Sequence, residues 1–97
     1  MGDAKGTLHV YAQGSFHERA YVVGTPEALE ALRGAIDSAL SKGKGISASF
    51  VNDGEGFDTV VIRVDPETAK KLAVPYSNDY ASENDASALW PWKIAES

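Results

Sequence analysis

Cysteine is absent from this chain of 97 residues, which removes a disulfide framework, a thiol nucleophile and a thiolate zinc site together. Stability has to come from packing. Long apolar runs are missing as well: no stretch approaches the roughly 20 residues that span a bilayer. The opening MGDAKGTLHV lacks the basic and apolar regions of a signal peptide. The sequence therefore predicts a cytoplasmic protein with no membrane partner. Gly2 does not open a myristoylation signal, because the hydroxyl residue such a signal wants is replaced by Gly6. Positive charge is scarce, with 9 Lys and Arg against 14 Asp and Glu and a formal charge of −5. That balance disfavours a nucleic-acid duplex, whose affinity for proteins comes mostly from cations displacing counterions. It suits solubility, and a basic partner more than an acidic one.

What is present suffices for one modest core, since 43% of the residues are hydrophobic in a chain of single-domain length. The stretch Gly24 to Gly43 carries the strongest local signal. Thr25 can accept a backbone N–H from the open first turn, Pro26 gives up an N–H that had no partner, and Glu27 suits the positive end of the helix dipole. Lys42 and Gly43 supply the cation and the left-handed residue that close a helix. Between them Leu29, Leu32, Ile36, Ala39 and Leu40 recur at three- and four-residue steps, opposite Glu30, Arg33, Asp37 and Ser41. This pattern predicts that the stripe, with Leu32 and Ile36 at its centre, is buried against a sheet.

Thr7 to Ala12 alternates Leu8, Val10 and Ala12 with His9 and Tyr11, and Arg19 to Val23 is rich in β-formers, so the two read as a hairpin. A second hairpin follows, in which Ile46, Ala48 and Phe50 face the core, Asp53-Gly54-Glu55-Gly56 turns the chain, and Val60, Ile62 and Val64 alternate with Thr59, Val61 and Arg63. Asp65-Pro66-Glu67 repeats the cap, proline and acid pattern, predicting a short helix of about two turns that ends before Pro75. Tyr76 to Ser87 shifts to Ser, Asn, Asp and Glu and reads as a loop. Trp90-Pro91-Trp92 then reads as an extended arm, because Pro91 is taken to prevent a regular helix.

The predicted fold is α+β: a two-layer sandwich with a mainly antiparallel four-stranded ββαββ sheet, one long helix on one face, a short second helix and an extended C-terminal arm. Residues 1–76 form the sandwich core, and 77–97 the acidic loop and aromatic arm of the same single domain. The outer sheet face, assigned His9, Tyr11, Tyr21, Val23, Val51, Val61 and Arg63, is too apolar to be an ordinary solvated surface.

No catalytic constellation stands out. DGEGFD, from Asp53 to Asp58, clusters carboxylates with glycines but lacks the ligand spacing of a calcium loop, so it reads as a plain turn with no metal. Lys42-Gly43-Lys44-Gly45 follows a helix where a phosphate loop would precede one. His17 and Glu18 are adjacent, and adjacent strand residues point to opposite faces, so they make a poor acid–base pair.

The reading is accordingly a non-catalytic small binding protein, homo-oligomeric with a dimer favoured, that captures a protein partner as an inhibitor or immunity factor does, with no cofactor. An alternative is sequestration of a small nucleotide-like ligand, with aromatic rings stacking a flat group and arginines neutralising an acidic one. A third is a small enzyme using His9 or His17. The ligand- or partner-binding residues expected are Tyr11, Arg19, Tyr21, Arg63, Trp90 and Trp92, since aromatics and arginine anchor interfaces. The C-terminal arm is expected to pack on a neighbouring subunit.

Overall fold

Local signals set the limits of the longest element. In the computed structural model, which describes residues 4–76 and 87–95, helix α1 spans Pro26–Lys42. Thr25 Oγ1 accepts from the Ala28 N–H at 3.3 Å. Gly43, at φ 100°, donates its N–H to the Ala39 carbonyl at 2.9 Å. Both caps stand as the sequence predicts.

Among the described residues four strands accompany it: β1 Leu8–Tyr11, β2 Tyr21–Gly24, β3 Lys44–Phe50 and β4 Gly56–Ile62. They form two antiparallel two-stranded sheets, β1 with β2 and β3 with β4, in a small α+β fold with α1 packed on β3. A continuous four-stranded sheet is therefore too simple a description. What joins the pairs is a short parallel bridge between Thr7 and Phe50, where Lys5 N–H donates to the Ala48 carbonyl at 2.7 Å and Phe50 N–H to the Gly6 carbonyl at 2.9 Å. By contact the chain divides into two compact units, Met1–Val10 with Val22–Arg63, and Tyr11–Tyr21 with Val64–Ser97.

Within the first unit, helix and strand meet through small residues, which corrects the predicted core. A Cβ on Gly45 would lie 2.7 Å from the Ala35 carbonyl carbon and 2.9 Å from its Cα, so Gly45 faces the helix at backbone contact. Side chains alternate along a strand, so Ser47 and Ser49 lie on the same face, both buried. The register Gly45↔Val61, Ser47↔Thr59 and Ser49↔Phe57 adds the β4 residues of that face.

On the helix Ala35 meets Gly45, and Ala28, Ala35 and Ala39 are buried, whereas Leu29, Ile36 and Leu40 keep 42%, 43% and 62% exposure and Leu32 is half-buried. Of the predicted stripe only Ala39 is fully buried. The apolar arc is wider than the contact, and the part that seats is the part whose side chains are small enough for the close approach. Of the predicted β3 core face Ile46, Ala48 and Phe50, only Ala48 is buried: Ile46 and Phe50 are exposed on the face away from α1, with Val60 and Ile62 beside them, and Val61 points toward the helix.

Among the described residues Leu8 supplies the one large, fully buried apolar side chain. It lies against Gly24 and Ala28, since a Cβ on Gly24 would fall 2.9 Å from Leu8 Cδ1 and 3.5 Å from Ala28 Cβ. The β3–β4 turn is closed by Asp53 Oδ1, which accepts the Glu55 N–H at 3.0 Å, and by Gly54 at φ 91°, the chemistry predicted for a plain turn.

The second unit revises two predicted elements. Helix α2 is Pro66–Ala69, one turn rather than two. Asp65 caps it by accepting the Thr68 N–H at 2.7 Å. The chain then turns to run beside Leu89, which donates to the Lys71 carbonyl at 2.7 Å and accepts from the Ala73 N–H at 2.8 Å. The predicted extended arm is instead helix α3, Pro91–Ala95, since proline is tolerated in the first turn of a helix, where its missing N–H is not needed. Of the predicted loop Tyr76 to Ser87, residues 77–86 lie outside the described residues.

Candidate functional site

Pairing of Leu89 with the Lys71–Ala73 segment brings two apolar stretches of sequence side by side. One is Ala73-Val74-Pro75-Tyr76 and the other Trp90-Pro91-Trp92, and together they line an open groove of about 240 Å³. Trp90 and Trp92 flank Pro91 and stack, with ring centroids 5.0 Å apart and planes inclined by 15°. Each indole thus gives one face to the other. Trp92 remains 58% exposed, so its ring is also open to a ligand. Prolines 75 and 91 hold their backbones near one φ value, which stiffens both walls.

Among the described residues no charged side chain lines this groove. The side chains described there bring indole N–H donors and the Tyr76 hydroxyl as polar groups. Chemically these residues offer apolar and π surface with a few donors.

Six residues were expected to share a binding site, and two of them, Trp90 and Trp92, come together here. Tyr11, Arg19 and Tyr21 belong to the same unit as the groove but are not among its lining residues, and all three are exposed. Arg63 belongs to the other unit. Its Nη1 donates to the Leu40 carbonyl at 2.9 Å, so its cation sits at the C-terminal end of α1, where the helix dipole favours it. The lining residues absent from that expected set are Ala73, Val74, Pro75, Tyr76 and Pro91. The signal for the first four is an apolar Ala-Val-Pro-Tyr run at the edge of an acidic stretch, which the sequence pattern divides between a helix end and a loop start.

The histidines occupy separate settings. His9 Nε2 accepts the Asn52 N–H at 3.0 Å, tying β1 to the second residue after β3. His17, at φ 67°, lies edge-on to Phe16 with centroids 5.3 Å apart. Among the described residues no group of three His, Asp or Glu side chains is placed to hold a metal ion. The Asp65 carboxyl is held below the usual aspartate range, chiefly by the Thr68 backbone N–H that it caps. It is a helix cap on the surface. No helix among the described residues is long and apolar enough to cross a membrane.

Comparison with known proteins returns no relative: no family model, no curated protein and no solved structure matches the chain.

Proposed function

We propose that this is a non-catalytic, homo-oligomeric binding protein that captures a protein partner as an inhibitor or immunity factor does, gripping an uncharged apolar segment in the tryptophan groove. The observation that carries this reading is the groove's lining, which combines two tryptophans, a tyrosine and two prolines, with no charged side chain among the described residues. Aromatic-walled grooves of this kind suit extended, proline-containing peptides, which bind with little ordering cost because they are already extended. The half-exposed Trp92 ring also favours a second reading, in which a flat small molecule stacks on it. A nucleotide is the weaker candidate for that role, because neither Arg19 nor Arg63 lines the groove.

The chain contains two tryptophans and both lie in the groove, so intrinsic fluorescence reports its occupancy directly. The test titrates the protein with a proline-rich decapeptide and, separately, with adenosine monophosphate. A saturable blue shift with the peptide alone, matched by calorimetric heat that disappears in Trp92→Ala, is the expected result. Saturation by the nucleotide instead would transfer the function to the second reading. Silence toward both probes would remove the groove as a binding site.

A further inference from the structure

We infer that two copies of the chain pair through β2, edge to edge and antiparallel, about a twofold axis at Val22. The inference rests on the homo-oligomer reading above and names its interface.

β2 is an unprotected edge. Its side chains Tyr21, Val22 and Val23 keep 52%, 51% and 57% exposure, on both faces of the sheet at once. Gly24 points toward Leu8 and Ala28, so by alternation Val22 shares the helix side while Tyr21 and Val23 share the outer side. No charge or proline interrupts Tyr21–Gly24, and these are among the devices by which edge strands ordinarily avoid pairing. By contrast β4, at the end of the other sheet, carries Asp58 in mid-strand.

The backbone fixes which groups face outward. Thr25, still extended at φ −69° and ψ 162°, donates its N–H to the Thr7 carbonyl at 3.0 Å. Its backbone groups therefore point toward the β1 side. Alternation then turns those of Val23 and Tyr21 the same way, and those of Val22 and Gly24 outward. Among the described residues no backbone hydrogen bond from outside the β1–β2 pair reaches Tyr21, Val22 or Val23.

A second copy satisfies these outward groups when Val22 lies opposite Val22 of the partner subunit, since the two then exchange N–H and C=O in both directions. The same register sets Tyr21 against Val23 of the partner subunit twice, and aromatic against β-branched is a favourable cross-strand pair. No like charges face each other, because Arg19 falls opposite Thr25 of the partner subunit. An interface of this length lies at the low end of stable contacts, below about 1,200 Å² in total, so the dimer dissociates on dilution. Two-fold closure uses the β2 edge of both copies, so this contact does not propagate into a fibre.

The chain's lack of cysteine makes cross-linking a clean test. Opposed hydrogen-bonded residues have Cα atoms about 5.5 Å apart, inside the disulfide range. Two Tyr21 positions, offset by two residues each in this register, are about 8 Å apart and outside it. Val22→Cys is therefore expected to give a disulfide-linked dimer under mild oxidation at least tenfold faster than Tyr21→Cys. In parallel, Val22→Lys places two cations on the axis and is expected to abolish the dimer seen by sedimentation velocity over a hundredfold concentration range. Equal cross-linking of the two cysteine variants would overturn the register. A wild-type oligomer that Val22→Lys leaves intact would overturn the β2 interface while sparing homo-oligomerisation. A wild-type monomer at every concentration would overturn both.

Discussion

Replacing Gly45 by alanine tests the seating of α1 on β3 more directly than any large-to-small substitution. The added Cβ would lie 2.7 Å from the Ala35 carbonyl carbon, 2.9 Å from its Cα and closer still to its carbonyl oxygen. All three are backbone atoms, so no side-chain rotation relieves the clash, and one element must move by about 1 Å to restore ordinary van der Waals separation. The strand cannot recede freely, because β3 is hydrogen-bonded to β4 on one side and bridged to residues 5–7 on the other. The helix is held at both ends, by the Thr25 N–H on the Thr7 carbonyl and by Arg63 on the Leu40 carbonyl. Overpacking of a tight contact costs about 1 to 3 kcal/mol, and the backbone origin of this clash puts Gly45→Ala at about 3. For a domain of this size that lowers the melting temperature by about 12 to 24 °C. The assay is thermal and urea unfolding of wild type, Gly45→Ala and the double variant Gly45→Ala, Ala35→Gly. Truncating the Ala35 side chain does not relieve a clash with its backbone, so the double variant is expected to be no more stable than the single one. A Gly45→Ala protein within about 0.5 kcal/mol of wild type, the usual range for a neutral surface change, would refute the helix–strand contact. So would rescue by Ala35→Gly.

Three further outcomes follow from the same packing. Gly34→Ala, on a helix position where an added Cβ meets nothing within 4 Å, is expected to stabilise by about 1 kcal/mol in chemical denaturation, the helix-interior cost of glycine. Leu8→Ala, at the one large side chain that is fully buried among the described residues, is expected to cost about 2 to 5 kcal/mol, whereas Ile36→Ala, at 43% exposure, is expected to cost about 1 kcal/mol or less; equal losses would return Ile36 to the core. The Asp65 carboxylate, its pKa depressed by the Thr68 N–H, contributes stability that is present above the unfolded-state pKa and is lost as pH falls through the lower folded value. Carboxyl NMR titration is expected to find it below the usual aspartate range, and Asp65→Asn is expected to remove that part of the acid-side decline.

The caps of α1, the turn at Asp53–Gly56 and the cap at Asp65 were legible because each depends on residues within about four positions of one another, a range over which side-chain and backbone chemistry acts directly. The face of α1 that is buried was not legible. Periodicity marks an apolar arc from Ala35 round to Leu40, and it does not say which part of the arc makes contact. That choice is made by the opposing strand, where Gly45, Ser47 and Ser49 admit a backbone only if the helix presents alanine. The sequence pattern of small residues on both partners was the available signal, and the larger leucines drew attention from it. Pro91 was misread for a related reason, because a proline's meaning depends on whether it opens a helix or interrupts one.

The small-residue seam has an energetic signature beyond its geometry. The hydroxyls of Ser47, Ser49 and Thr59 are buried beneath α1 with no hydrogen-bond partner, and each such group carries a desolvation cost of about 1 to 3 kcal/mol. A seam made of glycine, serine and alanine also buries little apolar area per residue, so this unit gains less from its core than its hydrophobic content would allow. The apolar side chains left out of the core, Leu29, Ile36 and Leu40 on the helix and Val22 and Val23 on β2, are what the unit has in reserve. Covering even part of that reserve on a second copy adds the burial that the close-packed seam forgoes. For that reason β2 pairing is expected to raise the melting temperature with protein concentration, as mass action requires of any folded state stabilised by association.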